Sequence, residues 1–184
     1  DKNIESFEVY KMRPKKDLFY AMSHGVNRAT LKKGKTDDRI KFLNKLTSKI
    51  ININYDFYGF KNKEPIWGNN FYQALVNSKM GLNLSRGLPT KYYSSNRIAS
   101  LIGNGLLTFI DKKTHLNDFF TNSEVILYEN IDDLSQKLKF YKKNSKLRKK
   151  IASNGKKKYF KLFNELKITK YLIDTSLGNS TKLY

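Results

Sequence analysis

The sequence predicts an α/β domain in which a mostly parallel sheet of five or six strands lies between two layers of helices. Five short apolar runs alternate with amphipathic segments at spacings of about 20–30 residues, as parallel βαβ units require. Residues that favour turns and helix starts stand between the runs. This alternation is typical of a Rossmann-like three-layer domain.

The strands are predicted from compact apolar runs that are bounded by turn residues. The first run, LFYAMS, ends two residues before a glycine, and the later runs are of similar length. The predicted strands are Leu18–Ser23, Ile50–Tyr55, Met80–Ser85, Leu106–Ile110 and Val125–Tyr128.

The segments between these runs carry signals of helix starts. Acidic residues closely follow Thr36 and Asn130, and negative charge stabilises the positive end of a helix. Longer helices are predicted to begin at Thr36, Asn69, Ser95, Asn130 and Ser145, with the last continuing to Leu166 and a short helix at Leu116–Phe120.

Three parts are expected along the chain. Residues 1–16 show no clear period and are predicted to be a lead-in or interlobe segment. Residues 17–174 form the Rossmann-like lobe, and the polar residues 175–184 form a loose tail. The sequence begins at Asp1 rather than at methionine, so we expect it to be a piece of a longer protein.

The net charge of +20 suggests a polyanionic partner. Only six of the 36 basic residues are arginines, however, whereas base and phosphate recognition relies on the planar fork of arginine. This composition argues against nucleic acid as a partner. A basic nucleic-acid-binding module stays open as an alternative, as does contact between the basic carboxyl-terminal helices and an anionic membrane.

The absence of cysteine excludes disulfides and thiolate metal sites. No apolar run approaches the roughly 20 residues that span a bilayer. We expect a cytoplasmic protein, with peripheral contact at the inner membrane surface left open. Neither a metal site nor a bound cofactor is predicted, and no catalytic triad or pair of catalytic acids can be recognised, so the catalytic residues stay unassigned.

Polar residues follow several of the predicted strands. In an open parallel sheet, ligands bind beyond the carboxyl ends of the strands, where helix amino termini point N–H groups at anions. After the first strand, Gly25 would let the backbone approach a diphosphate, and Arg28 could bind it through two hydrogen bonds. Ser85 and Arg86 follow the third strand.

The strongest signal is the run KYYSSNRIASLIGNGLLTFID, residues 91–111. Ser94 and Ser95 can cap the helix that starts here and leave its first N–H groups to a phosphate. Arg97 would lie in the first turn, and Tyr93 could stack on a base or a sugar. The alternative is a plain helix cap, a surface ion pair and a tyrosine that only fills the loop.

The order of these motifs resembles the carboxyl-terminal lobe of GT-B glycosyltransferases. The likeness runs from about Lys16 to Tyr159, and its nearest subgroup is the group 1 enzymes related to spore-maturation glycosyltransferases. The motifs that carry it are the G-x-x-R loop at Gly25–Arg28, Asp-Asp-Arg at Asp37–Arg39, SKMGLNLSRG, the run at residues 91–111 and LRKKIASNGKKKY.

The resemblance implies a donor-binding lobe that serves transfer of a sugar from a nucleotide diphosphate sugar to an acceptor, such as a cell-surface glycan or lipid, without a metal ion. An amino-terminal lobe absent from this sequence would bind the acceptor. A degenerate, non-catalytic lobe of this family is the third alternative.

The resemblance also assigns expected roles by position. Gly25 and Arg28 would face the diphosphate, and Ser85 and Arg86 would lie beside the sugar or base. The segment Tyr93, Ser94, Ser95, Asn96 and Arg97 would frame the diphosphate and ribose.

One position departs from the group 1 pattern. Relatives usually have a glutamate five residues before the glycine that corresponds to Gly105, where it binds the ribose hydroxyls. Here Ser100 occupies that position. A serine can donate or accept a hydrogen bond there, but without the strength that a charge adds.

Overall fold

Five strands pair in parallel in a computed structural model that describes residues 1–23, 38–93 and 95–179. Their order in the sheet is β2-β1-β3-β4-β5, so the chain starts near the middle and winds outward in both directions. The strands are β1 (Lys16–Ala21), β2 (Tyr55–Tyr58), β3 (Ser78–Asn83), β4 (Leu107–Asp111) and β5 (Ile126–Tyr128). The predicted α/β class and the parallel sheet are confirmed.

Within the described ranges the chain forms six α-helices. They are α1 (Asp38–Lys49), α2 (Gly68–Val76), α3 (Asn96–Gly103), α4 (Ile131–Lys143), α5 (Ser145–Leu162) and α6 (Glu165–Ser176). The predicted cap of α4 is confirmed, because the Asn130 side chain accepts hydrogen bonds from the N–H groups of Asp132 and Asp133 at 3.0 Å. No helix in these ranges combines the length and the apolar character that a membrane crossing requires.

The two faces of the sheet pack against different helices. Side chains alternate along a strand, so neighbouring residues of β1 enter different layers. Tyr20 belongs to the apolar cluster that contains Leu46 of α1 and Leu134 of α4. Phe19 belongs to the cluster with Leu101 of α3. The architecture is therefore the three-layer, Rossmann-like arrangement that the sequence predicts.

Helix α5 joins the layers at the β5 side of the sheet. Its Ile151 packs in the first cluster, while Tyr159 packs in a third cluster with Ile102 of α3. At Gly155 the helix comes so close to the segment before β5 that a Cβ atom would lie 2.2 Å from the carbonyl oxygen of Glu124. Glycine at this position therefore sets the distance between α5 and the sheet.

A buried carboxylate connects strands and helix near the amino ends of the strands. Asp17 of β1 binds the amines of Lys79 and Lys142 at 2.8 Å each, and it accepts a 3.0 Å hydrogen bond from the Asn54 N–H. Burial alone would raise the pKa of Asp17, but the hydrogen bonds from Lys142, Lys79 and Asn54 outweigh it and lower the pKa. Asp17 thus links β1 to β3 and α4 through ion pairs.

The second strand lies later in the chain than predicted. The sequence placed it at Ile50–Tyr55, whereas β2 is Tyr55–Tyr58. Ile50 and Ile53 are buried, but they anchor a turn in which the Ile53 N–H donates to the Ile50 carbonyl at 2.8 Å. The buried apolar residues of this turn therefore gave the same sequence pattern as a strand.

The predicted last helix is in fact two helices. The sequence placed one helix from Ser145 to Leu166, whereas α5 ends at Leu162 and α6 begins at Glu165. The break occurs because the Asn164 side chain caps α6 by accepting from the Lys167 N–H. Asn144, not Ser145, is the capping position of α5.

Candidate functional site

Two neighbouring cavities open at the carboxyl ends of the strands. The first, called the α3 groove, has a volume of about 830 Å³ and lies between the end of β1 and the amino termini of α2 and α3. The second, called the β3–β5 cavity, has a volume of about 120 Å³ and lies at the ends of β3, β4 and β5. Arg39 and Tyr93 line both cavities, so the two adjoin.

The amino terminus of α3 faces the α3 groove, and none of the described residues caps it with a side chain. Ser95 occupies the capping position in an extended conformation, yet its hydroxyl caps no N–H group. That hydroxyl is buried and has no hydrogen-bond partner among the described residues. Ser95 and Asn96 both line the groove. The first N–H groups of the helix, with the positive end of its dipole, can therefore meet an anion.

Arg97 is held rigidly at the same place. Its Nη1 donates a 2.8 Å hydrogen bond to the Leu84 carbonyl, and the guanidinium lies over the ring of Tyr20, 5.2 Å from the centroid. Burial lowers the pKa of Arg97, and the positive charge of Arg39 acts in the same direction. Because arginine stays protonated in proteins, this half-buried cation would be stabilised by an anion in the groove.

Arg39 and Trp67 line the α3 groove, although neither was predicted as a site residue. Arg39, in the first turn of α1, is buried and lines both cavities. Its sequence signal was the Asp-Asp-Arg motif at Asp37–Arg39. Trp67 precedes α2 and is 65% exposed at the groove. The sequence signal for Trp67 was a single tryptophan in a loop that follows a predicted strand.

The β3–β5 cavity contains polar groups at the ends of three strands. Asn83 and Tyr128 are buried, and neither the Asn83 Oδ1 nor the Tyr128 hydroxyl finds a hydrogen-bond partner in the described ranges. Asp111 is half-buried and accepts a 2.9 Å hydrogen bond from the Lys113 N–H. Burial raises the pKa of Asp111, and burial together with the charge of Asp111 raises that of Tyr128.

The predicted site residues are distributed over these cavities unevenly. Ser85 lines the β3–β5 cavity, whereas Arg86 is exposed and lines neither cavity. Gly25, Arg28 and Ser94 lie outside the described residues. The α3 groove brings together Tyr93, Ser95, Asn96, Arg97 and Ser100.

No cluster of three or more His, Cys, Asp or Glu residues that could hold a metal ion occurs in residues 1–23, 38–93 and 95–179. The positive groups at this edge belong to the protein itself, in the form of two guanidinium groups and the amino terminus of α3. The arrangement can therefore bind an anionic ligand through arginine and backbone N–H groups.

Part of the crystal structure of TarM, a glycosyltransferase, has the same fold as this chain. The match has a TM-score of 0.63 at 13% identity, covering 89% of this chain and 36% of the TarM chain. No curated protein matches the sequence. The model of a family described as "Glycosyl transferase-like" matches residues 33–169, which include every lining residue of the β3–β5 cavity and those of the α3 groove other than Ala21, Met22 and Ser23. The chain therefore belongs to the glycosyl transferase-like family.

Proposed function

We propose that this chain is the donor-binding, carboxyl-terminal lobe of a glycosyltransferase that transfers a sugar from a nucleotide diphosphate sugar. The observation that carries this proposal is the amino terminus of α3, which has no side-chain cap among the described residues, beside the fixed guanidinium of Arg97, in a chain of the glycosyl transferase-like family. A helix amino terminus and an arginine together are well suited to a diphosphate.

The mechanism would be electrostatic. As the bond between the anomeric carbon and the diphosphate breaks, negative charge develops on the leaving diphosphate. Arg97, Arg39 and the first N–H groups of α3 would stabilise that charge from fixed positions, which lowers the barrier without reorganisation of the site. These groups would supply the positive charge that a metal ion supplies in other transferases, so the proposed transfer is metal-independent.

The nucleoside would lie in the α3 groove. Trp67 and Tyr93 offer aromatic faces for a base, and Ser100 lies further along the same wall. The Ser100 hydroxyl donates to the Asn96 carbonyl at 3.0 Å, so its oxygen can still accept a hydrogen bond from a ribose hydroxyl. Ser100 would thus replace, with a neutral group, the glutamate that is usual in group 1 relatives.

The remaining assignments extend beyond this chain, which spans 36% of the length of TarM. We propose a glycan or lipid acceptor, bound by an amino-terminal lobe that also supplies the catalytic base. We place the protein with the spore-maturation-type enzymes and in the cytoplasm. The basic residues of α4 and α5 suit peripheral contact with an anionic membrane.

The alternative of a nucleic-acid-binding module is weakened by the packing of the carboxyl-terminal aromatic residues. The rings of Tyr159 and Phe163 lie 5.7 Å apart, and Phe163 also contacts Phe119 at 5.8 Å. Because Tyr159 is part of the core, it is not available to stack on bases. An activity measurement distinguishes an active donor-binding lobe from a degenerate lobe without activity.

Calorimetric titration of the chain with UDP, GDP and ADP, and with a single-stranded oligonucleotide, tests the proposal. We expect saturable binding of one nucleotide diphosphate and only weak, salt-sensitive binding of the oligonucleotide. Tight oligonucleotide binding without nucleotide diphosphate binding would favour the nucleic-acid module. If the chain binds a nucleotide but a protein that also contains the amino-terminal lobe transfers no sugar, the lobe is degenerate.

A further inference from the structure

Two buried side chains in the wall of the β3–β5 cavity each have a polar atom without a hydrogen-bond partner among the described residues. Asn83 is 4% exposed and Tyr128 is 1% exposed, yet the Asn83 Oδ1 and the Tyr128 hydroxyl have no partner in the part of the chain that the structure describes. Buried polar atoms without partners are costly and therefore rare in folded proteins. Two of them in the wall of one cavity indicate a polar ligand.

The size of the cavity fits a group larger than one water molecule. Its volume is about 120 Å³, whereas a water molecule takes about 30 Å³ in the liquid. The cavity adjoins the α3 groove, with Arg39 and Tyr93 in the wall that both share. A ligand that passes Arg39 can therefore have one end in the groove and the other in the cavity.

The chemistry of the wall favours a neutral group that carries hydroxyls. The Asn83 Oδ1 and the Asp111 carboxylate accept hydrogen bonds, and the Tyr128 hydroxyl can donate or accept one. Phe42 and Leu84 add an apolar surface to the same cavity. A carboxylate in the wall disfavours a phosphate, and the guanidinium of Arg39 disfavours a metal cation. A sugar ring, with C–H faces and hydroxyl edges, matches this wall.

We propose that the β3–β5 cavity receives the glycosyl group of the donor, and that Asn83, Asp111 and Tyr128 recognise its hydroxyls. This assignment rests on the proposed function, in which the α3 groove binds the nucleotide and Arg39 lies beside the diphosphate between the two. The three residues then determine which sugar is accepted, whereas Trp67 and Ser100 contact the nucleoside.

The test compares each nucleotide sugar with its own nucleotide diphosphate. Calorimetry measures binding of UDP-glucose, UDP-N-acetylglucosamine, GDP-mannose and ADP-glucose, and of UDP, GDP and ADP, to the chain and to Tyr128→Phe and Asp111→Asn. We expect both variants to bind the preferred nucleotide sugar about three- to tenfold more weakly, as loss of one hydrogen bond predicts, with unchanged affinity for the nucleotide diphosphate.

A thermal melt without ligand is the second measurement. Tyr128→Phe should melt at the same temperature as the parent chain or higher, because the hydroxyl that it removes has no partner among the described residues. Tyr20→Phe is the matched control. Tyr20 is equally buried, but its hydroxyl donates to the Leu84 carbonyl at 3.0 Å, so this variant should melt at a lower temperature.

Three results would overturn the assignment while leaving the proposed function intact. In the first, the variants bind the nucleotide sugar and the nucleotide diphosphate more weakly by the same factor. In the second, neither affinity changes. In the third, Tyr128→Phe melts at a markedly lower temperature than the parent chain. If the parent chain binds no nucleotide diphosphate at all, the proposed function itself fails, and the assignment fails with it.

Discussion

Arg97 lies over the ring of Tyr20, its guanidinium carbon 5.2 Å from the centroid, and both side chains donate a hydrogen bond to the carbonyl of Leu84. This contact joins the first turn of α3 to β1 and to the segment after β3. The guanidinium is thus positioned before any ligand arrives. A preorganised cation loses little conformational entropy on binding and needs no reorganisation during reaction.

Removal of this guanidinium should weaken nucleotide binding selectively. Arg97→Ala is expected to lower the affinity for the preferred nucleotide diphosphate by about 1–3 kcal/mol, the value of a charged hydrogen bond. Arg97→Lys keeps the charge but loses the planar group that stacks on Tyr20, so it should recover only part of the loss. Calorimetry measures the affinity of both variants.

Arg13→Ala is the control, because it removes the same charge at the opposite ends of the strands. Equal losses of affinity for Arg97→Ala and Arg13→Ala would show that net charge, not the site, attracts the ligand.

Trp67 provides a spectroscopic test of the α3 groove. It is the single tryptophan of the chain and is 65% exposed there, so nucleotide binding should change its fluorescence directly. Trp67→Ala should lower nucleotide affinity by about 1–3 kcal/mol, the range found for stacking of a base on an aromatic side chain. The free energy of unfolding should change by less than about 0.5 kcal/mol, because the side chain is largely exposed.

Leu88→Ala is the control for Trp67→Ala. Leu88 is 90% exposed and lines neither cavity, so its removal should leave nucleotide affinity unchanged. Calorimetric binding of a nucleotide diphosphate with no change in Trp67 fluorescence would place the base elsewhere.

The close approach of α5 to the sheet predicts a stability effect at Gly155. In Gly155→Ala the new Cβ would lie 2.2 Å from the backbone carbonyl oxygen of Glu124, which cannot rotate away. The helix must shift, so the free energy of unfolding should fall by about 1–3 kcal/mol. Urea unfolding measures the change. Lys157→Ala on the exposed side of α5 is the control and should change stability by less than about 0.5 kcal/mol; a Gly155→Ala variant as stable as this control would contradict the tight packing.

Most of the fold was predictable because its signals are local. The runs at β3 and β4 are buried on both faces, and Asn130 caps α4 through contacts two and three residues away. The position of β2 was missed because burial at Ile50 and Ile53 arises from a turn against the core. An apolar run indicates that residues are buried, but it does not distinguish a strand from a buried turn.

The grouping of residues in the candidate site could be predicted where those residues are contiguous in sequence. Tyr93, Ser95 and Arg97 line one groove because they precede or begin a single helix. Arg39 and Trp67 reach the same groove from α1 and from the loop before α2, so their roles depend on how distant elements pack. The unused polar atoms of the β3–β5 cavity have no local signal, because only the folded structure shows which hydrogen bonds are missing.

Asp17 predicts how stability depends on pH. The pKa of Asp17 is lower in the folded chain than in the unfolded chain, so its stabilising effect is complete above the unfolded value of about 3.9 and is lost as the pH falls through the folded value. In urea unfolding, Asp17→Asn should therefore show a shallower loss of stability in this acid range than the parent chain. At pH 7 it should be less stable by about 2 kcal/mol, because two lysines lose a buried partner and solvent around their amines limits the cost. Glu64→Gln in an exposed loop is the control and should change stability by less than about 0.5 kcal/mol. An unchanged acid dependence in Asp17→Asn would mean that Asp17 does not hold β1, β3 and α4 together through its charge.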